Sequence, residues 1–124
     1  MKKVIRTDKA PEPVGPYSQG IICGKRIYVA GHGPRNPETG TTPEGVTEQT
    51  RQVLKNIRAI LEAGGATMDH VVKVTAHLQN VRQDFQAFNE VYKTFFKEPF
   101  PVRTTVGSDL LNILVEIDVI AELD

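Results

Sequence analysis

Cysteine is nearly absent: Cys23 stands alone in 124 residues. It has no internal disulfide partner, and no Cys/His cluster shows the spacing of a zinc site. A reducing, cytoplasmic setting is therefore expected. Net charge is absent too. Fifteen Lys and Arg balance fifteen Asp and Glu, which leaves no global electrostatic footprint for RNA, DNA or an anionic membrane. No apolar run is long enough to span a bilayer, and residues Met1 to Ala10 are polar and charged where a signal peptide would be apolar. Repeats, low-complexity tracts and linkers are also missing. Residues 1–124 are read as one domain with one modest core.

What is present reads as alternating strands and helices. Val4-Ile5 predicts a short edge strand, and the proline-rich stretch Lys9 to Pro16 an extended loop. Ile21–Cys23 and Ile27–Ala30 flank Gly24-Lys25, a β-hairpin signal. A turn-rich loop follows at 34–40. The next helix can start in two ways. Either Thr42 caps it with Pro43 in the first turn, or Thr41 and Glu44 form a capping box. Val46, Thr50, Val53, Leu54, Ile57, Ile60 and Leu61 recur at helical steps, and Gly64-Gly65 ends the run. Val71 to Leu78 predicts a strand with Val72, Val74, Ala76 and Leu78 on one face. A second helix is expected from Arg82 to Phe96, with Phe85, Phe88, Tyr92, Phe95 and Phe96 as its apolar stripe. Val102–Val106 and Ile113–Leu123 predict the last two strands.

This order predicts an α+β, two-layer sandwich: a mixed sheet of about six strands with two helices on one face. The other face carries Val71, Thr75, Leu114 and Ile120 among charges. Such a surface calls for a cover, and self-association is the simplest one.

Arg103 is the most informative residue, a cation in mid-strand among valines and threonines. Burying it demands a partner for its fork, and its planar donors match a carboxylate at two points. Two readings stay open: a structural ion pair with a neighbouring strand, or a ligand-binding cation. If Val102–Val106 pairs antiparallel with the last strand around a turn at Ser108–Asn112, Arg103 falls opposite Glu116 or Asp118. Arg103, Thr105 and one carboxylate would then share a pocket able to bind an anion and place a water beside a base. His32, His70 and His77 show no metal-ligand spacing. Gly31-His32-Gly33 is a short glycine loop without a phosphate-binding pattern.

Three segments carry a resemblance. Gly15-Pro16-Tyr17-Ser18-Gln19-Gly20, Asn36-Pro37-Glu38-Thr39-Gly40, and Pro101–Val106 followed by Leu114-Val115-Glu116-Ile117 resemble, in order and spacing, the motifs of the RidA/YjgF family. The resemblance implies a chorismate-mutase-like fold and a homotrimer with sites between subunits. It implies a hydrolase that converts reactive 2-imino and 2-enamino acids, such as 2-iminopropanoate, to 2-oxo acids and ammonia without a cofactor or metal. That is a role in metabolite damage control. On this template Arg103 holds the substrate carboxylate and Glu116 orients the water. Tyr17, Gly31 and Asn89 line the pocket, and the main chain near Thr105 helps place the water. His32 and Thr105 stand where glutamine and cysteine are usual, and the 108–112 turn is short. Three other functions remain to be weighed: deamination of a longer substrate such as 2-aminomuconate, ribonuclease or translation-inhibitor activity, and a non-catalytic trimer that binds a small ligand. Charge neutrality speaks against nucleic acid.

Overall fold

A computed structural model describes residues 1–124. Its elements run β1 (Lys2–Ile5), β2 (Gly20–Cys23), β3 (Arg26–His32), α1 (Val46–Ala63), β4 (Val71–Leu78), α2 (Val81–Tyr92), β5 (Val102–Gly107) and β6 (Val115–Glu122). The sheet has six strands in the order β1-β2-β3-β6-β4-β5. All neighbours are antiparallel except β4 and β5, so the sheet is mixed, as expected.

The hairpin forms where Gly24 supplies a φ of 61°, a left-handed value that suits glycine in a tight turn. The helical spacing in α1 puts Thr50, Val53, Leu54, Ile57, Ile60 and Leu61 in the interior. The five apolar residues among them pack against Ile27 and Val29 of β3 and against Val115, Ile117, Val119 and Ala121 of β6 in one continuous core. That alternation in β6 is the period of two read from its sequence.

Local details differ from expectation. Neither threonine caps α1. Gly45, with φ 82°, precedes Val46 as the N-cap, and no side chain makes a capping hydrogen bond there. Helix α2 closes at Tyr92 rather than Phe96, and Thr94 bonds back to the Val91 carbonyl at 2.6 Å. His70 belongs to a short 3-10 turn before β4, where its Nδ1 accepts from the Thr67 N–H at 3.0 Å. A bulge between Val71 and Lys73 then shifts the strand by one residue. Val71 is therefore buried with the core, and Val72 is exposed.

The largest correction concerns β5. It pairs in parallel with β4, Arg103 beside Val74 and Thr105 beside Ala76, and makes no ladder with β6. Helix α2 carries the chain back to the starting end of the sheet, so the next strand must run parallel to β4. The 108–114 segment is consequently no hairpin turn. It crosses the end of β4, fastened by Ser108 N–H to the Leu78 carbonyl (3.0 Å), Gln79 N–H to the Leu114 carbonyl (3.0 Å) and Leu110 N–H to Gln79 Oε1 (2.7 Å). Strand β6 then enters between β3 and β4.

The open face of the sheet carries Lys73, Thr75 and His77 of β4 beside Ile120, Asp118 and Glu116 of β6. Exposed Val102 and Val106 lie at one edge, and Tyr28 on β3. Partial burial raises the Asp118 pKa, against the pull of His77, Lys73 and a Thr75 hydrogen bond.

Candidate active site

Residue pairing places Arg103 and Glu116 on opposite faces of the sheet. Arg103 aligns with Val74, which is buried under the helices. Glu116 aligns with His77 on the open face. Strand β4 also separates them. The expected pocket shared by Arg103, Thr105 and a β6 carboxylate within one chain does not form. Two separate clusters take its place.

The first surrounds Arg103 on the edge strand. Its guanidinium carbon lies 4.6 Å from the ring centre of Tyr92, 5.4 Å from Phe88 and 5.8 Å from Phe85. These aromatics recur at three- and four-residue steps on α2, so one helix face supplies a shelf for the cation. No carboxylate pairs with Arg103. The acid that shares its cavity, Glu90, is held by Lys93 at 3.0 Å. The cavity measures about 330 Å³ and is lined by Asn89, Tyr92, Phe100, Pro101 and Arg103 among others. Of the two readings of Arg103, the ion pair within the chain is thus absent.

Two hydroxyls here are buried without a partner, Tyr92 Oη and Thr105 Oγ1. Leaving such a group unpaired costs about 1–3 kcal/mol. Burial pushes the Tyr92 phenol up to about 12, with Arg103 pulling the other way. Tyr92 belongs to this cluster, although an aromatic at helical spacing reads from sequence as core. Its signal was the place of Asn89 on the same stripe, three residues before it.

The second cluster gathers Tyr17, Gly31 and His32 around a cavity of about 300 Å³, with Glu12, Arg35, Leu111 and Ile113 among its other walls. Glu116 adjoins it through Gly31. Gln19 organises one wall. Its buried amide accepts from the Thr7 N–H (2.8 Å) and donates to the Thr7, Ala10 and Pro11 carbonyls (3.0, 3.3 and 2.9 Å), tying down the proline-rich loop. Tyr17 Oη accepts from the Val14 N–H at 3.2 Å. His32 is buried and lies 3.4 Å from the Gln19 carbonyl. Desolvation lowers its pKa, partly offset by that backbone contact. Asn56, buried on α1, fixes the opposite wall by donating to the Gly33 and Arg35 carbonyls at 3.1 and 3.0 Å. Asn56 is the residue that sequence reasoning passed over here, and Gln19 stood in the Gly15–Gly20 motif without a role, since a buried amide leaves no periodic signal.

Asn89 and Thr105 therefore sit with Arg103, while Tyr17, Gly31 and His32 sit with Glu116. No three His, Cys, Asp or Glu side chains converge in a metal-binding arrangement. No helix is long and apolar enough to cross a membrane.

Residues 7–123 match the family model described as Endoribonuclease L-PSP. The chain belongs to the RidA/YjgF family. It is 47% identical over 124 residues to a RutC family protein of Pyrococcus horikoshii, spanning 98% of each chain. It is 40% identical over 126 residues to the 2-iminobutanoate/2-iminopropanoate deaminase of Dermatophagoides farinae, with 99% of this chain and 98% of the relative covered. Among solved structures, E. coli TdcF with bound serine superposes with a TM-score of 0.93 at 36% identity, covering 98% of this chain and 99% of the other. RidA from a Psychrobacter species gives 0.93 at 39% identity, with the same coverage. This RidA/YjgF member thus shares its full fold with proteins that include a deaminase of reactive intermediates.

Proposed function

We propose that the chain hydrolyses 2-imino and 2-enamino acids, 2-iminopropanoate among them, to 2-oxo acids and ammonia, as a cytoplasmic homotrimer whose sites lie between copies. One observation carries this reading: Arg103 stands on its aromatic shelf with no acidic partner. A cation so placed is ready to grip a carboxylate at two points. Glu116 lies on the other face of the sheet, so the Arg103 edge of one copy has to meet the Glu116 face of the next. The half-apolar open face, with Tyr28, Val102 and Val106 exposed, supports such an association.

In the proposed site Arg103 binds the substrate carboxylate, with Asn89 beside it and the main chain near Thr105 helping to place a water. Tyr17, Gly31 and His32 of the neighbouring copy close the pocket. An enamine first takes a proton at C3 to become the iminium. Glu116 accepts a proton as water attacks C2, forming the carbinolamine. Glu116 then returns that proton to nitrogen and takes the hydroxyl proton as the C–N bond breaks, so the carbonyl forms and ammonia leaves. The carboxylic acid passes its proton to the ammonia, which departs as ammonium, and the carboxylate is reset. The iminium carbon is already electrophilic, so fixing substrate and water supplies much of the acceleration. The carboxylate adds about 10²- to 10⁴-fold. The name of the D. farinae relative and the serine on TdcF agree with a small amino-acid-like substrate.

The test generates 2-iminopropanoate in situ from alanine with an amino-acid oxidase and follows imine loss. Wild-type protein should accelerate it, and Arg103→Ala should abolish nearly all the acceleration. Equal rates with and without protein would end the proposal.

A further inference from the structure

Arg35 has no role in the chemistry just described, yet it lines the cavity of Tyr17, Gly31 and His32. We infer that Arg35 forms a second anion subsite at this cavity and selects imino acids that carry a second, terminal carboxylate. The inference rests on the deaminase reading above and names the substrate class it favours.

Charge comes first. Arg35 is exposed, and its guanidinium enters none of the chain's ion pairs or side-chain hydrogen bonds. The one acid that lines the same cavity, Glu12, is held by Arg6 at 2.6 Å. Asp8 lies only in the adjoining cavity, which Arg35 and Glu12 also border. Among the residues that line this cavity, Arg35 is thus the one unengaged charge, and it is positive, while Glu116, which adjoins the cavity through Gly31, is the base of the proposed chemistry.

Backbone anchoring comes second. A free arginine on a loose loop presents nothing in particular, but this loop is fixed. The Arg35 carbonyl accepts from buried Asn56 at 3.0 Å, and Pro34 before it is buried. After it the turn closes on itself: Asn36 N–H bonds to the Thr41 carbonyl and Gly40 N–H to the Asn36 carbonyl, both at 2.8 Å, while Asn36 Oδ1 accepts from the Glu38 N–H at 2.9 Å. The Cα of Arg35 is thus held in place while its side chain stays free. A preorganised backbone lowers the ordering cost of binding.

Substrate chemistry follows from these two points. A guanidinium fork in water prefers a planar carboxylate. With the C1 carboxylate on Arg103, a methyl side chain would leave Arg35 facing only solvent. A short methylene chain ending in a carboxylate would lie against Ile113 and Leu111, which wall the same cavity, and offer Arg35 the partner it lacks. The favoured class is the 2-imino dicarboxylates of four or five carbons.

The test compares 2-iminosuccinate and 2-iminoglutarate, made from D-aspartate and D-glutamate with D-aspartate oxidase, against 2-iminopropanoate made from D-alanine. Wild type should prefer a dicarboxylate in kcat/KM. Arg35→Gln should lower the dicarboxylate-to-monocarboxylate ratio by about 10- to 100-fold, the worth of a charged hydrogen-bonded pair, chiefly through KM. Arg35→Lys should keep part of the preference. An unchanged ratio in Arg35→Gln, with wild type active on 2-iminopropanoate, overturns the subsite and spares the deaminase. So does dissociation of the Arg35→Gln assembly, which would mean that the side chain pairs with a neighbouring copy. A wild type inactive on every imine removes the deaminase reading itself.

Discussion

Glu116 Oε2 lies 2.7 Å from the point where a Cβ on residue 31 would stand, so glycine at 31 is what lets the carboxylate occupy its place. Gly31 has no positive φ, so its backbone would accept alanine. The atom in the way is the end of a flexible side chain. Gly31→Ala should therefore leave the fold nearly intact, shifting stability by about 0.5 kcal/mol or less. It should move the carboxylate by roughly an ångström, and misplacement on that scale costs about 10²-fold in rate. Thermal melts together with kcat on 2-iminopropanoate check this. A variant with a normal melt and normal kcat would remove Glu116 from the chemistry.

Tyr92 and Arg103 make a second testable pair, with the cation 4.6 Å from the ring centre. Cation–π contacts are worth about 0.5–2 kcal/mol. Tyr92→Leu keeps an apolar side chain in the core but removes the flat surface. Arg103 should then grip substrate less well, raising KM by about 10-fold. Tyr92→Phe retains the ring, so its KM should stay near that of wild type. Equal KM values for wild type and the leucine variant would show that the shelf does not position the cation.

Periodicity carried most of the fold. The α1 face, the glycine hairpin and the alternation of β6 all appear where spacing puts them, because burial selects one side of each element. The partner of β5 was not legible. Strand pairing is a long-range choice, and nothing local in Val102–Val106 records that α2 has turned the chain parallel to β4. The misplaced pairing carried the candidate site with it: Arg103 and Glu116 were each picked out by residue type, but their separation by face and by strand needed the register. The Gly31–Glu116 contact was hidden for a similar reason, since it depends on a bulge between Val29 and His32. Asn56 and Gln19 read as ordinary polar residues until their backbone partners are known.

His32 should make stability depend on pH in one direction. Its burial lowers the pKa below the ordinary value of 6.5. The unfolded chain then takes up this proton at a higher pH than the folded one. Stability from the neutral, buried ring is complete above 6.5. It is lost progressively as pH falls from there through the folded-state pKa. Urea unfolding between pH 8 and 5 should show this decline, and His32→Gln should reduce it, because an amide can still donate to the Gln19 carbonyl without titrating. Parallel curves for the two proteins would mean that the ring is solvated in solution.

A site built from two copies makes a prediction that no single-chain site shares. Arg103→Ala and Glu116→Gln should each be inactive alone. In an assembly containing both variants, some junctions bring the intact Arg103 of an E116Q copy against the intact Glu116 of an R103A copy. Each junction of a head-to-tail ring needs one particular variant on each side. In a head-to-tail trimer that contains both variants, whichever is in the minority, one junction of the three is of this kind, so mixed assemblies should show about a third of wild-type activity. Co-expression of two differently tagged variants, followed by purification over both tags, provides the mixed assemblies for assay on 2-iminopropanoate. Recovery would require that the two side chains act across a subunit boundary, since neither chain holds both. Mixed assemblies as inactive as their parents would mean that Arg103 and Glu116 do not meet, and the hydrolytic mechanism proposed for them would fail.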